Sequence, residues 1–161
     1  MTGKDARFED GTEAPLNLKA LDTDDLTVIS SLAQDAVFPV SEMTWQSGAR
    51  RFAVLINRFR WEDRERAEKQ HRKFERVQSL LVVEDVLKVA VQGVDRRDAD
   101  LVLSLLSIGF EPGADGTGRL VLTLAGDGAV ALDVECIDVT LRDVTRPYVA
   151  PSGRAPDHPD T

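Results

Sequence analysis

The sequence predicts an α+β fold in which about seven antiparallel strands form a small barrel or a two-sheet sandwich, with one amphipathic helix near the N-terminus. Three observations support this prediction. Apolar and polar residues alternate in most segments, which is typical of half-buried strands. Strands and helices do not alternate along the chain, so a doubly wound parallel sheet is not expected. Gly126, Asp127 and Gly128 separate two alternating runs, as in a β-hairpin.

The segment from Arg119 to Asp143 contains a change of phase that predicts a corner in the sheet. Its apolar side chains occupy even positions up to Cys136 and odd positions from Ile137 onward. Side chains of a strand alternate strictly between two faces, so a change of face without a turn requires a bulge or a bend. We expect this bend near Cys136 and Ile137, where it would join two parts of the β structure.

The other elements follow from local patterns along the chain. Asp22 and the acidic residues after it precede apolar residues spaced by three and four, which predicts a helix over roughly 23–35. Pro39 indicates that residues 37–45 begin a strand or lie at a sheet edge, because proline cannot donate to a ladder. The charge run at residues 62–76 is consistent with a solvated helix or with a mobile loop. Further strands are expected at residues 51–61, 74–83, 86–94 and 104–111.

Length and composition indicate one domain in a chain of 161 residues. We assign residues 15–144 to this domain, residues 1–14 to a disordered lead-in and residues 145–161 to a proline-rich disordered tail. The formal net charge of −8 argues against a nucleic-acid partner. No apolar stretch resembles a signal peptide or is long enough to span a membrane, so we expect a cytoplasmic protein without a membrane partner.

Four stretches of the sequence carry a resemblance to a known family. They read SSLAQDAV in the predicted helix, RRFAVLINRFRWE in the long strand, LLSIGFEPG, and GDGAVALDVECIDVTLRDV in the closing hairpin. Together they resemble the bacterial family called Domain of Unknown Function 2948, over roughly Leu16 to Asp143. In that family Asn57, Arg58 and Phe59 would fall in an NRF block. The resemblance implies a small cytosolic bacterial protein and supplies no reaction.

The candidate binding residues form an aromatic and basic group on two predicted neighbouring strands: Trp45, Asn57, Arg58, Arg60 and Trp61. Arginine beside exposed tryptophan is typical of the energetically dominant part of a protein interface. The first hypothesis is therefore a non-enzymatic binding or adaptor module. It would receive a protein partner, or a second copy of itself, at a strand edge or at this Arg/Trp face. The alternative interpretation is ordinary cross-strand pairing on a solvated face.

A second hypothesis is a binder of small anions, or a minor enzyme, with its site in the mouth of the barrel. Arg58 would anchor the anion, and Glu135 would act as acid or base. This hypothesis requires Arg58 and Glu135 to converge in one pocket. RNA binding on the sheet is a third hypothesis, based on the frequency of that function in small barrels.

The sequence predicts no catalytic residue, no metal site and no cofactor, and it does not favour an enzyme. Cys136 lies beside Glu135, but we interpret it as a small buried residue in the bend rather than as a reactive thiol. His71 and His158 are the two histidines, and neither belongs to a spacing that would hold zinc or iron.

Overall fold

The computed structural model describes residues 14–95, 97–149 and 155–156, and these contain eleven strands and two short helices. The helices are α1 (Thr23–Ala33) and α2 (Arg64–Lys69). The strands, in chain order, are β1 (Asn17–Ala20), β2 (Val37–Pro39), β3 (Met43–Gln46), β4 (Arg51–Phe59), β5 (Glu75–Val83), β6 (Val86–Gln92), β7 (Val102–Pro112), β8 (Gly118–Leu124), β9 (Ala129–Val134), β10 (Val139–Asp143) and β11 (Tyr148–Val149).

All described strand pairs are antiparallel, and they form one sheet in the order β1-β10-β5-β4-β2-β7-β8-β9-β6. In addition, β3 pairs with β4, and β11 pairs with β5. The terminal strands β1 and β6 do not pair with each other, so the sheet is not closed. The predicted α+β barrel or sandwich is therefore wrong, and the fold is mainly β. Alternating side chains identify the two faces of a strand, but they contain no information about whether the two ends of a sheet meet.

Helix α1 forms where the sequence predicts it, because its first turn is capped and one stripe is apolar. The Asp22 carboxylate accepts a hydrogen bond from the backbone N–H of Asp25 at 2.8 Å. Leu26, Ile29 and Ala33 are buried, and the helix packs mainly against β7 and β1. The helix ends at Ala33, two residues before the predicted end.

Strand β7 joins two halves of the sheet. One half contains β1, β2, β4, β5 and β10, and the other contains β6, β8 and β9. Residues 102–104 pair with β2, whereas residues 105–112 pair with β8. As a result, buried side chains from both halves and from α1 form one continuous core. Burial of each large aliphatic or aromatic side chain contributes about 1.5–3 kcal/mol to stability. The largest fully buried apolar residues include Phe38, Phe52, Ile56, Leu81, Leu105, Leu120 and Leu132.

The predicted corner near Cys136 and Ile137 is confirmed. Strand β9 ends at Val134 beside β8 and β6, and β10 begins at Val139 beside β1 and β5. The connection from β5 to β6 also passes between the two halves, and it runs alongside the β9–β10 connection. The Glu84 N–H donates to the Asp138 carbonyl at 2.9 Å, and the Glu135 N–H donates to the Asp85 carbonyl at 3.1 Å. The phase change in the sequence therefore marks where the chain leaves one half of the sheet for the other.

The β7–β8 hairpin depends on a close approach at Gly118. A Cβ at this position would lie 2.5 Å from the Glu111 carbonyl oxygen and 2.4 Å from the Phe110 ring. Because the backbone oxygen cannot move aside, we expect Gly118→Ala to lower the free energy of unfolding by about 1–3 kcal/mol. Denaturant unfolding measures this difference.

Gly109→Ala is the matched control in the same hairpin, since a Cβ at Gly109 would meet nothing within 4 Å. Its effect should stay within about 1 kcal/mol, of either sign. Equal destabilisation by the two substitutions would contradict the close approach at Gly118.

Candidate functional site

Arg58 is fully buried, and it is the centre of an ion-pair network at the end of β4. Its Nε donates to the Ser79 hydroxyl at 2.9 Å, and Nη2 donates to Asp143 at 3.0 Å. Its two terminal nitrogens also donate to the two carboxylate oxygens of Glu62 at 2.9 and 2.8 Å. With all of its donor groups directed to protein partners, Arg58 stabilises the fold and presents no free guanidinium to a ligand.

Asp143 connects this network to the N-terminal entry of the chain. Its carboxylate accepts hydrogen bonds from the Ser79 hydroxyl at 2.6 Å and from the Leu16 N–H at 2.9 Å. The Asp143 N–H in turn donates to the Leu16 carbonyl at 2.8 Å. Burial lowers the pKa of Arg58, but the ion pairs with Glu62 and Asp143 outweigh this effect, so the pKa lies above its usual value and the side chain is charged.

Arg60 belongs to a neighbouring cluster formed by the charge run. It forms an ion pair with Glu75, and its Nη1 lies 3.6 Å from Asp63. Asp63 is buried, and its two carboxylate oxygens accept hydrogen bonds from both terminal nitrogens of Arg72 at 3.0 Å. This bidentate bond raises the pKa of Arg72. The charge run thus includes the short helix α2 followed by irregular chain, and its acids Glu62, Asp63 and Glu75 form ion pairs with Arg58, Arg60 and Arg72.

The two tryptophans do not belong to one exposed face with the arginines. The Trp61 indole N–H donates to the Gln34 carbonyl at 2.9 Å, and its ring packs edge-on against Phe59 with centroids 4.6 Å apart. Trp45 is partly exposed on β3, opposite Phe52. Six residues of strand separate Phe52 from Arg58, which corresponds to about 20 Å.

Glu135 is far from Arg58, so the pocket required by the second hypothesis does not form. Glu135 makes an ion pair with Arg50, immediately before β4, whereas Arg58 lies near the other end of that strand. Eight residues of extended chain correspond to about 26 Å. Cys136, next to Glu135, is exposed rather than buried as predicted. Desolvation and the Asp85 carboxylate, 3.4 Å from its sulfur, raise the pKa of the thiol.

An open groove of about 550 Å³ lies beside the start of β5 and the residues that precede β11. Its walls include Pro15, Arg60, Glu75, Arg146 and Pro147, and we call it the β11 groove. Among the described residues β11 pairs only with β5, so its other edge has no strand partner. The sequence signal for this site was the Pro-Tyr-Val triplet at 147–149, which lies in the segment predicted to be a disordered tail.

Exposed apolar side chains of β11 follow the groove residue Pro147 in the chain, but they do not line the β11 groove. Tyr148 is 38% exposed and Val149 48% exposed, and the Tyr148 hydroxyl accepts a hydrogen bond from Asn57. Neither Arg142 nor Arg146 has an ion-pair partner within the described ranges. Asn57 also accepts from Arg76 at 3.3 Å. Tyr148 therefore lies with Asn57 and Arg76, outside the lining of the β11 groove. Arg146 lines the groove, and the edge of β11 adjoins it.

A second, smaller groove of about 300 Å³ lies on the outer side of the same strands. Asn57 lines it, and the exposed side chain of Val102 borders it. Its remaining lining residues are Val37, Phe38, Pro39, Glu42, Leu55 and Gln78. Of the six sequence-predicted site residues, Asn57 and Arg60 thus border grooves, Arg58 and Trp61 hold the fold, and Trp45 and Glu135 lie elsewhere.

The comparison with known families confirms the resemblance seen in the sequence. The model described as "Protein of unknown function (DUF2948)" matches residues 16–158. The chain belongs to this family. The region matched by the DUF2948 family model extends past Asp143, the end suggested by the sequence. It therefore includes β11 and the two residues before it, Arg146 and Pro147. No curated protein and no solved structure matches the chain.

In the described part of this family member, no helix has the length and apolar character needed to cross a membrane. Within the same residues, no three side chains of His, Cys, Asp or Glu are grouped so that they could hold a metal ion.

We expect Arg58→Ala to destabilise the protein by about 3–5 kcal/mol, because it leaves the Asp143 carboxylate buried without its cation. Denaturant unfolding would detect this loss. Arg64→Ala is the matched control: Arg64 is half-exposed on α2, pairs with Glu68 at 4.0 Å, and should change stability by less than about 1 kcal/mol. A similar small effect at both positions would show that Arg58 is not a structural residue.

The raised pKa of Cys136 predicts the pH dependence of its alkylation. Since the thiolate reacts, the half-maximal rate with iodoacetamide should occur above the usual thiol pKa. Asp85→Asn removes a negative neighbour and should move that midpoint to lower pH. Asp127→Asn is the control, because Asp127 has the same left-handed backbone conformation and does not contact the thiol. An unchanged midpoint in Asp85→Asn would contradict the electrostatic contribution of Asp85.

Proposed function

We propose that this protein is a non-enzymatic binding module whose β11 groove receives an extended, acidic segment of a partner protein. The single observation that carries the proposal is that the outer edge of β11 has no strand partner among the described residues and lies beside the exposed Arg146. Following the family resemblance, we place this activity in the bacterial cytoplasm.

The edge of β11 without a described strand partner is the reason to expect that the bound segment is extended. Tyr148 and Val149 pair with Arg76 and Glu75 on β5, so one side of β11 is already hydrogen-bonded. A peptide that adds to an exposed sheet edge gains main-chain hydrogen bonds, and nearby pockets then select its side chains. Pro15 and Pro147 shape the groove without competing for these bonds, because proline has no backbone N–H.

An exposed arginine in the groove is the reason to expect an acidic partner segment. Arg60 is held by Glu75 and Asp63, so it forms part of the wall and is not free to bind. Arg146 is exposed, and no carboxylate of the described chain pairs with it. A guanidinium can bind a carboxylate through two parallel hydrogen bonds, which adds specificity as well as affinity.

The β11 groove replaces the two surfaces considered from the sequence. The Arg/Trp face loses its basis because Arg58 and Arg60 are buried in ion pairs. A catalytic site formed by Arg58 and Glu135 loses its basis because the two side chains lie near opposite ends of β4. A strand edge that binds a protein segment is the part of the first hypothesis that the geometry supports.

The proposal can be tested by photo-crosslinking in a bacterial lysate. A benzophenone amino acid at position 148 should crosslink a partner, and mass spectrometry should locate the crosslink in an acidic, extended segment. Arg146→Glu should reduce the crosslink by at least about tenfold, which corresponds to 1.4 kcal/mol. Thermal unfolding of each variant would show that the fold is retained.

The matched control for this experiment is Arg97→Glu, a charge reversal at a residue that is 93% exposed in the loop between β6 and β7, away from both the groove and the β6 edge. It should leave the crosslink at position 148 unchanged. Equal loss in both variants would indicate a general effect of charge and would contradict the proposed site, as would the absence of any protein crosslinked at position 148.

A further inference from the structure

A second free edge lies at the far end of the strand order, on β6. In the described part of the chain β6 pairs with β9 alone. Its sequence, VLKVAVQ, contains one charged residue, Lys88, in a protein with a formal net charge of −8. Leu87 is 52% exposed, and Val89 and Val91 are half-buried against the core. This is a longer and more apolar edge than those of β1, β3 and β11.

The features that commonly prevent another strand from pairing with a sheet edge occur only at the start of β6. The Val86 N–H donates to the Arg50 carbonyl at 2.9 Å, which anchors the beginning of the strand. The register to β9 shifts between Val86 and Lys88, so Leu87 lies in a bulge. From Lys88 to Gln92 the ladder is regular, and beyond Lys88 this stretch has no charge, proline or bulge that would block another strand.

We infer that β6 is the interface between two copies of this chain, which pair antiparallel through Lys88–Gln92 around a two-fold axis at Ala90. This inference is independent of the β11 groove, which uses a different edge. In this register Ala90 faces Ala90 of the second copy, Val89 faces Val91, and Lys88 faces Gln92. Every residue of the regular stretch then has a compatible partner, and no like charges face each other.

The two faces of β6 support the same register. Val89 and Val91 lie opposite the buried residues Leu132 and Val130 of β9, so they are on the core face. A second copy would cover their exposed parts with the same two valines and would continue the core across the interface. Lys88, Ala90 and Gln92 lie on the outer face, where the lysine ammonium can donate to the glutamine amide oxygen. A two-fold axis requires this self-complementarity.

Net charge adds a second expectation for the same interface. Each copy has a net charge of −8, so two copies repel each other at long range. The attraction along β6 is apolar and made of backbone hydrogen bonds, and salt does not screen it. Association should therefore become stronger as ionic strength rises.

Analytical ultracentrifugation of the full 17.7 kDa chain tests the inference directly. The wild type should form dimers, with a dissociation constant that falls from low to moderate salt. Ala90→Lys places two like charges at the two-fold axis and should weaken the dimer by at least about tenfold. Ala90→Glu should do the same, and an equimolar mixture of the two variants should recover the dimer through opposite charges.

Ala131→Lys is the matched control, because Ala131 lies opposite Ala90 on β9, one strand away from the edge. It should leave dimerisation unchanged, and circular dichroism would show that all three variants remain folded. A wild type that stays monomeric would overturn the inference, as would failure of the mixture to recover the dimer or equal weakening by Ala131→Lys. None of these outcomes affects the β11 groove, whose test measures crosslinking at position 148.

Discussion

The ion pair between Arg58 and Asp143 is the interaction on which the rest of this structure depends. Arg58 lies on β4, Asp143 ends β10, and Ser79 of β5 connects them through its hydroxyl. The same carboxylate holds the N-terminal entry through the Leu16 N–H. A buried arginine is tolerated only if its charge and all its donors are matched, which constrains the position of every segment around it. The end of the sheet that carries β11 is thereby fixed.

This constraint separates the arginines by role. Arg58, within β4, and Arg60, directly after it, are buried in ion pairs and hold the fold together. Arg142, within β10, and Arg146, after it, are exposed. A guanidinium serves equally well as a buried structural group and as a ligand for an external carboxylate, and only its surroundings distinguish the two uses. The proposed binding surface therefore lies beside the residues predicted from the sequence.

Two edges of the open sheet, those of β11 and β6, differ in chemistry. The edge of β11 is short and lies beside two prolines and an arginine, which suits the partner segment proposed above. The edge of β6 is longer, nearly uncharged and self-complementary, which suits a second copy. Natural sheets usually block such edges, and both proposals rest on edges that no described residue covers.

The sequence alone determined the local elements: most strands, the capped helix α1, and the corner near Cys136 and Ile137. These follow from periodicity and capping, which depend on residues close together in the chain. The tertiary structure decided the open sheet, the burial of Arg58, the exposure of Cys136 and the strand at Tyr148. Each depends on contacts between distant residues, such as the 85 positions that separate Arg58 from Asp143. Local patterns carry no information about which distant partner a side chain meets.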